Sequence, residues 1–424
     1  MSIFQVLESK ALYLFKPWAE ATYIDEPLEL SSQRIGRIIE ELGRSEDLIE
    51  SFFRSWIKEQ RDIKAILFDI TSLSSYSKLI DYLEWGYNRD KEKLPQINLG
   101  VIVGQPSHLP LAYRIYPGSI ADVSTLRNII LLLEELKVKD FTFILDRGFY
   151  SAENLREMDE EKLRFVVPLP FSTAISHQLI SKHLRDLKSP FYGFYYKGRP
   201  MFHIKDQISI SDIVGYAHLY HDERRKADEI DHLMRRIVEI ESLVEKKEFW
   251  SRDAAGEYLE QRFKGSSKLF EITGEGGRFR LKRRVKAISR LMNRMGKTII
   301  LTNDAELGRD EILSLYRRKD TLEKMFDIIK NELDCGRLKV SSREAVEGRV
   351  FLTYLSLIIY SALSQIMQEK DLYKTYTLSE VFYELKKLRV VTLNSGKSYL
   401  TEVSKKQRFL FEQFEVPVPV VPSY

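Results

Sequence analysis

Three acidic residues in three different local settings are the side chains of this chain best suited to do chemistry together. Asp69 closes the apolar run Ile63-Lys64-Ala65-Ile66-Leu67-Phe68 and is followed by Ile70, Thr71 and Ser72. Asp146 closes a similar run, Phe141-Thr142-Phe143-Ile144-Leu145, and Glu323 lies inside a basic segment. Carboxylate oxygens are hard ligands that suit Mg2+ or Mn2+, and acids shared between two such ions about 3.5–4 Å apart can activate a nucleophile and stabilise a leaving oxygen. Clustered carboxylates repel one another when empty, so two divalent cations would also make their full ionisation tolerable. A strand-end Asp taken alone reads equally well as a cap for the next helix; two of them together with Glu323 favour the shared site.

The segment 316–330 predicts one helix that carries Glu323. Tyr316, Lys319, Glu323 and Lys330 are spaced so that, at roughly 100° per residue, they fall within about 60° of one another on its surface. Leu315, Leu322, Phe326, Ile329 and Leu333 cluster on the adjoining face, the pattern of a helix with one side in a core. One stripe therefore offers a carboxylate flanked by two cations and a phenol. The plainer alternative is a solvated face stitched by i,i+4 ion pairs.

These residues carry a resemblance. Tyr316, Glu323 and Lys330 match the signature Tyr-x2-Arg-x3-Glu-x6-Lys of a group of DDE transposases from insertion sequences, with Lys319 where the signature has Arg. Lys319 keeps the charge without the planar fork that binds phosphate at two points. The resemblance extends to Asp69-Ile70-Thr71-Ser72, Gly86-Tyr87-Asn88-Arg89-Asp90, Pro117-Gly118-Ser119-Ile120-Ala121-Asp122 and Asp146-Arg147-Gly148-Phe149, about residues 30 to 370 in all.

The resemblance implies a metal-dependent enzyme that cleaves DNA at transposon ends and transfers the freed strand, cut-and-paste fashion. By the same resemblance, Asp69, Asp146 and Glu323 are its catalytic acids and metal ligands, while Tyr316, Lys319 and Lys330 contact the terminal phosphates of double-stranded DNA. Arg147, next to an acid, is expected to reach the scissile strand. A homodimer on paired ends is implied too. Two other readings use the same residues: a ribonuclease H-like nuclease that cuts without joining, and a truncated, non-catalytic DNA-binding remnant.

Composition agrees with a soluble globular protein. The 424 residues are 44% hydrophobic and 30% charged, with a net charge of +4, so the overall balance makes no demand for nucleic acid. The distribution says more. Between Arg278 and Asn303 no acidic residue occurs, while Arg280, Arg283 and Arg284 belong to a run of cations. A merely solvated face usually mixes both signs, so this run is expected to contact DNA in a salt-dependent way.

Cys335 is the only cysteine, which excludes an internal disulfide or a Cys-based zinc cluster and fits a reducing cytoplasm. Residues 1–20 lack the pattern of a secretory signal. The uncharged stretch 350–367 reads as a buried core helix, with no membrane involved. Gly296-Lys297-Thr298 lacks the first glycine of a phosphate-binding loop, Leu291 standing in its place. His218 and His221 have a metal-ligand spacing on a helix, and ordinary surface histidines are the favoured reading.

The expected fold class is α/β: a ribonuclease H-like mixed sheet with helices, interrupted by an inserted α+β domain and preceded by a helical N-terminal region. Strands are predicted at 63–70, 97–103 and 110–116, then a helix at 121–137 and the strand ending in Asp146. The order agrees with that fold; its name comes from the resemblance. Five regions follow: a helical region 1–60, catalytic segments 61–165 and 301–370, an insertion 166–300 and a tail 371–424. Within the insertion, 191–213 reads as strands around Lys197-Gly198-Arg199-Pro200, 268–282 as a hairpin turning at 274–277, and Ile230, Leu233, Ile237, Ile240 and Val244 as the stripe of a long helix. The tail ends in an extended Val-Pro run at 416–422.

Overall fold

The computed structural model describes residues 1–24, 30–60, 62–77, 80–210, 212–274, 278–395 and 397–420. The chain divides into two compact units, one made of Met1–Phe149 with Arg317–Tyr424 and the other of Tyr150–Tyr316.

The first unit is built on a mixed sheet. Strand β1 (Ala65–Ser75) pairs antiparallel with β2 (Gln96–Gln105), which pairs antiparallel with β3 (Pro110–Pro117). On its other side β1 runs parallel to β4 (Thr142–Leu145) over Ala65–Phe68, and parallel to the short strand Arg337–Leu338 at Ser74–Ser75. Parallel strands buried on both faces read as continuous apolar runs, and Ile66, Leu67, Phe68, Phe143 and Leu145 are fully enclosed.

Asp69 is therefore in mid-strand, contrary to the expectation that the strand stops there. The hydroxyl-rich stretch Thr71–Ser75 continues β1 because its polar groups are buried with partners: Ser75 Oγ donates to the Leu338 carbonyl at 3.0 Å, and Asn88 donates to Ser74 Oγ at 3.1 Å. Buried hydroxyls are tolerated when so paired.

Helices surround this sheet. In the N-terminal region Ser31 caps the helix Ser32–Arg44 by accepting from the Arg34 N–H, and Ile35 and Ile39 face a core shared with Phe4, Phe15 and Leu352. Leu352 belongs to the long helix Arg343–Glu369, which by length and composition could cross a membrane but buries about half of its most apolar window inside the protein. Gly43 and Gly348 let the helices Ser32–Arg44 and Arg343–Glu369 touch backbone to backbone: a Cβ on either would overlap a carbonyl of the other helix. The C-terminal region is more ordered than a tail. Helices Leu378–Leu385 and Lys405–Gln413, each opened by a reciprocal capping box, pack with Met367 into a small core. Of the expected extended run, 421 and 422 lie outside the described residues.

The second unit holds five antiparallel strands and a separate hairpin. Strands β5 (Arg164–Pro168), β6 (Gly193–Tyr196), β7 (Arg199–Ile210) and β8 (Ile213–His221) are followed in the chain by the hairpin β9 (Phe270–Thr273) and β10 (Arg280–Arg283), then by β11 (Lys297–Thr302). The antiparallel order is β5-β11-β8-β7-β6. The compact unit runs from Tyr150 to Tyr316, against the insertion 166–300 expected from sequence. Lys197 and Gly198 take the positive φ of 48° and 74° that a tight hairpin turn requires.

Of the expected turn at 274–277, residues 275–277 lie outside the described residues. The helix Glu223–Glu245 buries Leu233, Ile237, Ile240 and Val244 in a core with β9, β10 and neighbouring helices, so its stripe is internal packing. His218 and His221 are a correction: they lie on β8 and are buried. β7 pairs with one edge of that strand and β11 with the other, so it lies inside the sheet. His218 Nδ1 is 3.0 Å from His203 Nε2, and burial holds these two rings well below the usual histidine range, at about 3 and about 4.

Candidate active site

The parallel ladder between β1 and β4 positions the first two acids. Its last pair is Phe68 with Leu145, so Asp69 and Asp146 are the next residues of two adjacent strands running in the same direction. Beyond Leu145 the chain makes a short turn, Arg147–Phe149, in which the Phe149 N–H donates to the Asp146 carbonyl at 3.1 Å. The Phe149 ring then packs on Phe68 with centroids 5.1 Å apart, which pins the turn over β1.

The third acid comes from a segment that is not one helix. The helix Arg309–Arg317 ends, Arg318 and Lys319 form a turn, and a second helix runs Asp320–Asp327 before a π-helical turn at Ile328–Glu332. Three successive cations, Arg317 to Lys319, precede the break, and Asp320 and Glu323 supply negative charge to the first turn of the new helix, where its dipole favours them. The expected single stripe is thus divided. Tyr316 is the last residue of the second unit and packs on that unit's core, while Lys319, Glu323 and Lys330 belong to the first. Of the expected apolar face Leu322, Phe326, Ile329 and Leu333 are buried and Leu315 partly so, Met325 is buried beside them, and the Asp320–Asp327 helix packs against β1.

Asp69, Asp146, Lys319 and Glu323 line one small cleft with Leu67, Phe68, Ile144, Leu145 and Leu322. The Lys319 ammonium stands between two of the acids, 3.5 Å from Asp146 Oδ1 and 3.6 Å from Glu323 Oε1. Asp69 is the unusual carboxyl. Burial, reinforced by the Asp146 charge, pushes it up to about 7 against the opposing hydrogen bond from the Ile70 N–H at 2.8 Å and the charge of Arg89. A carboxyl held partly protonated beside a second acid is a donor that an added cation would ionise.

As a donor set these are hard oxygens, and Lys319 already places one positive charge between two of them, so the residues suit a divalent cation. Among the described residues, however, no three His, Cys, Asp or Glu side chains stand close enough together to hold an ion. The exposed Glu323 side chain would have to turn inward.

Two segments noted in the sequence, without a role, meet beside these acids. Gly86 lies against the Gly118 carbonyl, leaving no room for a Cβ, and the Arg89 guanidinium donates to Asp122 Oδ2 at 2.6 Å. Both charges reach Asp69. The loop is fixed from beneath by Asn88 and Gln96: Asn88 Nδ2 donates to Gln96 Oε1 at 2.8 Å, and Gln96 Nε2 donates to the Tyr87 carbonyl at 3.1 Å. Its asparagine and arginine beside a glycine were visible in the sequence; their proximity to Asp69 was not.

The remaining site residues fall as follows. Arg147 is exposed on the turn after Asp146, and Lys330 Nζ is 2.6 Å from Asp90 Oδ2. Arg280, Arg283 and Arg284 are exposed on the second unit, and Arg283 makes two 2.7 Å hydrogen bonds to Glu241.

The chain matches the family described as transposase DDE domain over residues 60–359. It belongs to that family. The matched span runs from just before β1 to within the helix Arg343–Glu369, so it contains all three acids. No curated protein matches the chain. Among solved structures, the cryo-EM structure of the piggyBac transposase synaptic complex with hairpin DNA overlaps this chain with a TM-score of 0.43 and 9% sequence identity, covering 100% of this chain and 76% of that one.

Proposed function

We propose that this member of the transposase DDE family cleaves DNA at the ends of its own mobile element and joins the freed strand to target DNA, with Asp69, Asp146 and Glu323 as the catalytic acids. The observation that carries the reading is the β1–β4 register, which makes Asp69 and Asp146 neighbours, with Lys319 linking Asp146 to Glu323. Three antiparallel strands followed by a fourth parallel to the first, with acids on the first and just after the fourth, support a ribonuclease H-like catalytic unit.

Two divalent cations, Mg2+ with Mn2+ as substitute, would supply charge neutralisation and oxygen activation when held by these acids. The chain's own residues do the rest. Asp69 gives up its proton on entering the charged state, and Glu323 turns in from its exposed helix. Lys319, once the acids have another counter-charge, is released to a DNA phosphate. In the first step a water oxygen attacks phosphorus and the bond to the 3′ oxygen breaks, leaving a 3′-hydroxyl and a 5′-phosphate; in the second that hydroxyl attacks a target phosphodiester, joining to its phosphorus as the target's own 3′ oxygen leaves and takes up the proton as a hydroxyl. Tyr316, Lys330 and Arg147 are proposed contacts to the terminal DNA, and Arg280, Arg283 and Arg284 contacts of the second unit with duplex. A homodimer on paired ends rests on the family resemblance.

The test is Mg2+-dependent cleavage of a duplex carrying the repeats that flank the gene. Cleavage at the repeat boundary is expected, falling by at least about a thousandfold in Asp69→Ala, Asp146→Ala and Glu323→Ala while end binding stays measurable. Cleavage persisting in Asp146→Ala would overturn the assignment. Unspecific nicking would favour a nuclease that does not join, and binding without cleavage a non-catalytic remnant.

A further inference from the structure

An open cleft of about 750 Å3 adjoins the acids in the first unit, with Glu323 and Thr71 in its wall. Four cations line it, and each is held by a carboxylate, Arg89 by Asp122. Lys330 Nζ is 2.6 Å from Asp90 Oδ2, Arg337 donates to Glu92 Oε1 at 2.5 and 2.9 Å, and Lys339 Nζ is 3.1 Å from Asp334 Oδ2. Asp90 and Glu92 are not on a loose loop. Asn88 Oδ1 accepts from the backbone N–H of both, at 2.9 and 3.1 Å, and Asn88 Nδ2 is anchored to Ser74 and Gln96.

Charge pairing of this kind has a consequence for a cleft that opens at a catalytic acid. A strand whose phosphodiester lies at the acids must continue past them, and its phosphates need cations. The cations are present, but their charge is already neutralised. Partly exposed ion pairs contribute little to stability, so exchanging a carboxylate for a phosphate costs little. A phosphate offers the same charge-assisted geometry to Arg and Lys.

Resting on the reading of the chain as a DNA-cleaving enzyme, we propose that this cleft is the track for the sugar–phosphate backbone leaving the catalytic acids. Lys330, Arg337 and Lys339 are its phosphate-binding cations, and Asp90, Glu92 and Asp334 hold the places of phosphates until DNA arrives. The carboxylates keep the track from capturing DNA unselectively, since a neutralised wall exerts little long-range attraction. DNA enters it only when other contacts have already brought the strand to the acids.

The test is a fluorescence-anisotropy titration of the full-length protein with a labelled duplex of the flanking repeat and with a labelled random duplex, at several potassium chloride concentrations. The double variant Asp90→Asn, Glu92→Gln is expected to bind both duplexes about tenfold more tightly than the unmodified protein. Arg337→Ala is expected to bind more weakly and to flatten the dependence of log affinity on log salt by about one. Should the double variant melt at a much lower temperature, the slope of Arg337→Ala decides alone. A double variant that folds and binds no more tightly than the unmodified protein overturns the proposal, as does an unchanged slope in Arg337→Ala. An unmodified protein that neither binds nor cuts the repeat duplex defeats the functional reading itself.

Discussion

Asp69 is under two opposed demands, because a carboxyl buried beside another acid favours its proton whereas a metal ligand must lose it. Its position of about 7 sets where the two balance. In the folded protein the proton is retained at pH values where the unfolded chain, with an ordinary Asp near 3.9, has released it. Between those values the folded state binds more protons, so stability falls as pH rises and the loss is complete above about 7. Asp69→Asn removes this slope. Without metal, the variant is expected to match the unmodified protein at acid pH and to be more stable, by on the order of 4 kcal/mol, at pH 8. Urea unfolding at both pH values checks this. The same proton competes with metal: Mn2+ affinity is expected to fall by up to about tenfold per pH unit below 7, with proton release on binding. Calorimetry in two buffers of different ionisation enthalpy measures both, and an affinity flat from pH 6 to 8 would contradict the assignment of Asp69 as a ligand.

At the level of elements, the site depends on close approaches that only small residues permit. Gly348 lies where a Cβ would overlap the Ile39 carbonyl, and the helix carrying it packs on the N-terminal helices that complete the first unit. Gly348→Val is expected to destabilise the protein by about 1–3 kcal/mol, the usual range for forcing bulk into a packed interior. A thermal or urea melt unchanged from the unmodified protein would show that the helices can separate without loss. The strands that bring Asp69 and Asp146 together were legible in the sequence because apolar runs of β-branched and aromatic residues mark buried strands. Two features were not. Thr71–Ser75 reads as loop, because nothing local shows that buried partners such as Asn88 and the Leu338 carbonyl await its hydroxyls. The break at Arg318–Lys319 is hidden because 316–330 keeps a helical apolar period on both sides of it; the exchange between two compact units at that point is a tertiary fact. Likewise the charged loop 88–92 spells out its residues, but only the fold shows that Asp90 and Glu92 meet Lys330 and Arg337.

For the whole molecule, the chain leaves the catalytic unit after Phe149 and returns at Arg317, so Glu323 joins Asp69 and Asp146 only when a second unit of 167 residues, Tyr150–Tyr316, has been threaded between them. That unit carries the acid-free basic run and a core of its own, and the proposed function assigns it the duplex contacts. Its cations are not equivalent. Arg283 is committed to Glu241 through two hydrogen bonds, whereas Arg280 lies on the exposed hairpin strand and Arg284 precedes the helix Val285–Met292. If Arg280 and Arg284 each neutralise a phosphate, the double variant Arg280→Ala, Arg284→Ala loses up to about two units from the slope of log affinity against log salt. Arg283→Ala should cost some stability by leaving Glu241 alone. The two effects are separable by salt titrations of binding alongside single-turnover cleavage at saturating DNA. Binding that weakens with the cleavage rate unchanged assigns the basic run to duplex contact. A cleavage rate that falls while binding holds would instead place these arginines in the chemistry, and the separation of tasks between the two units would not stand.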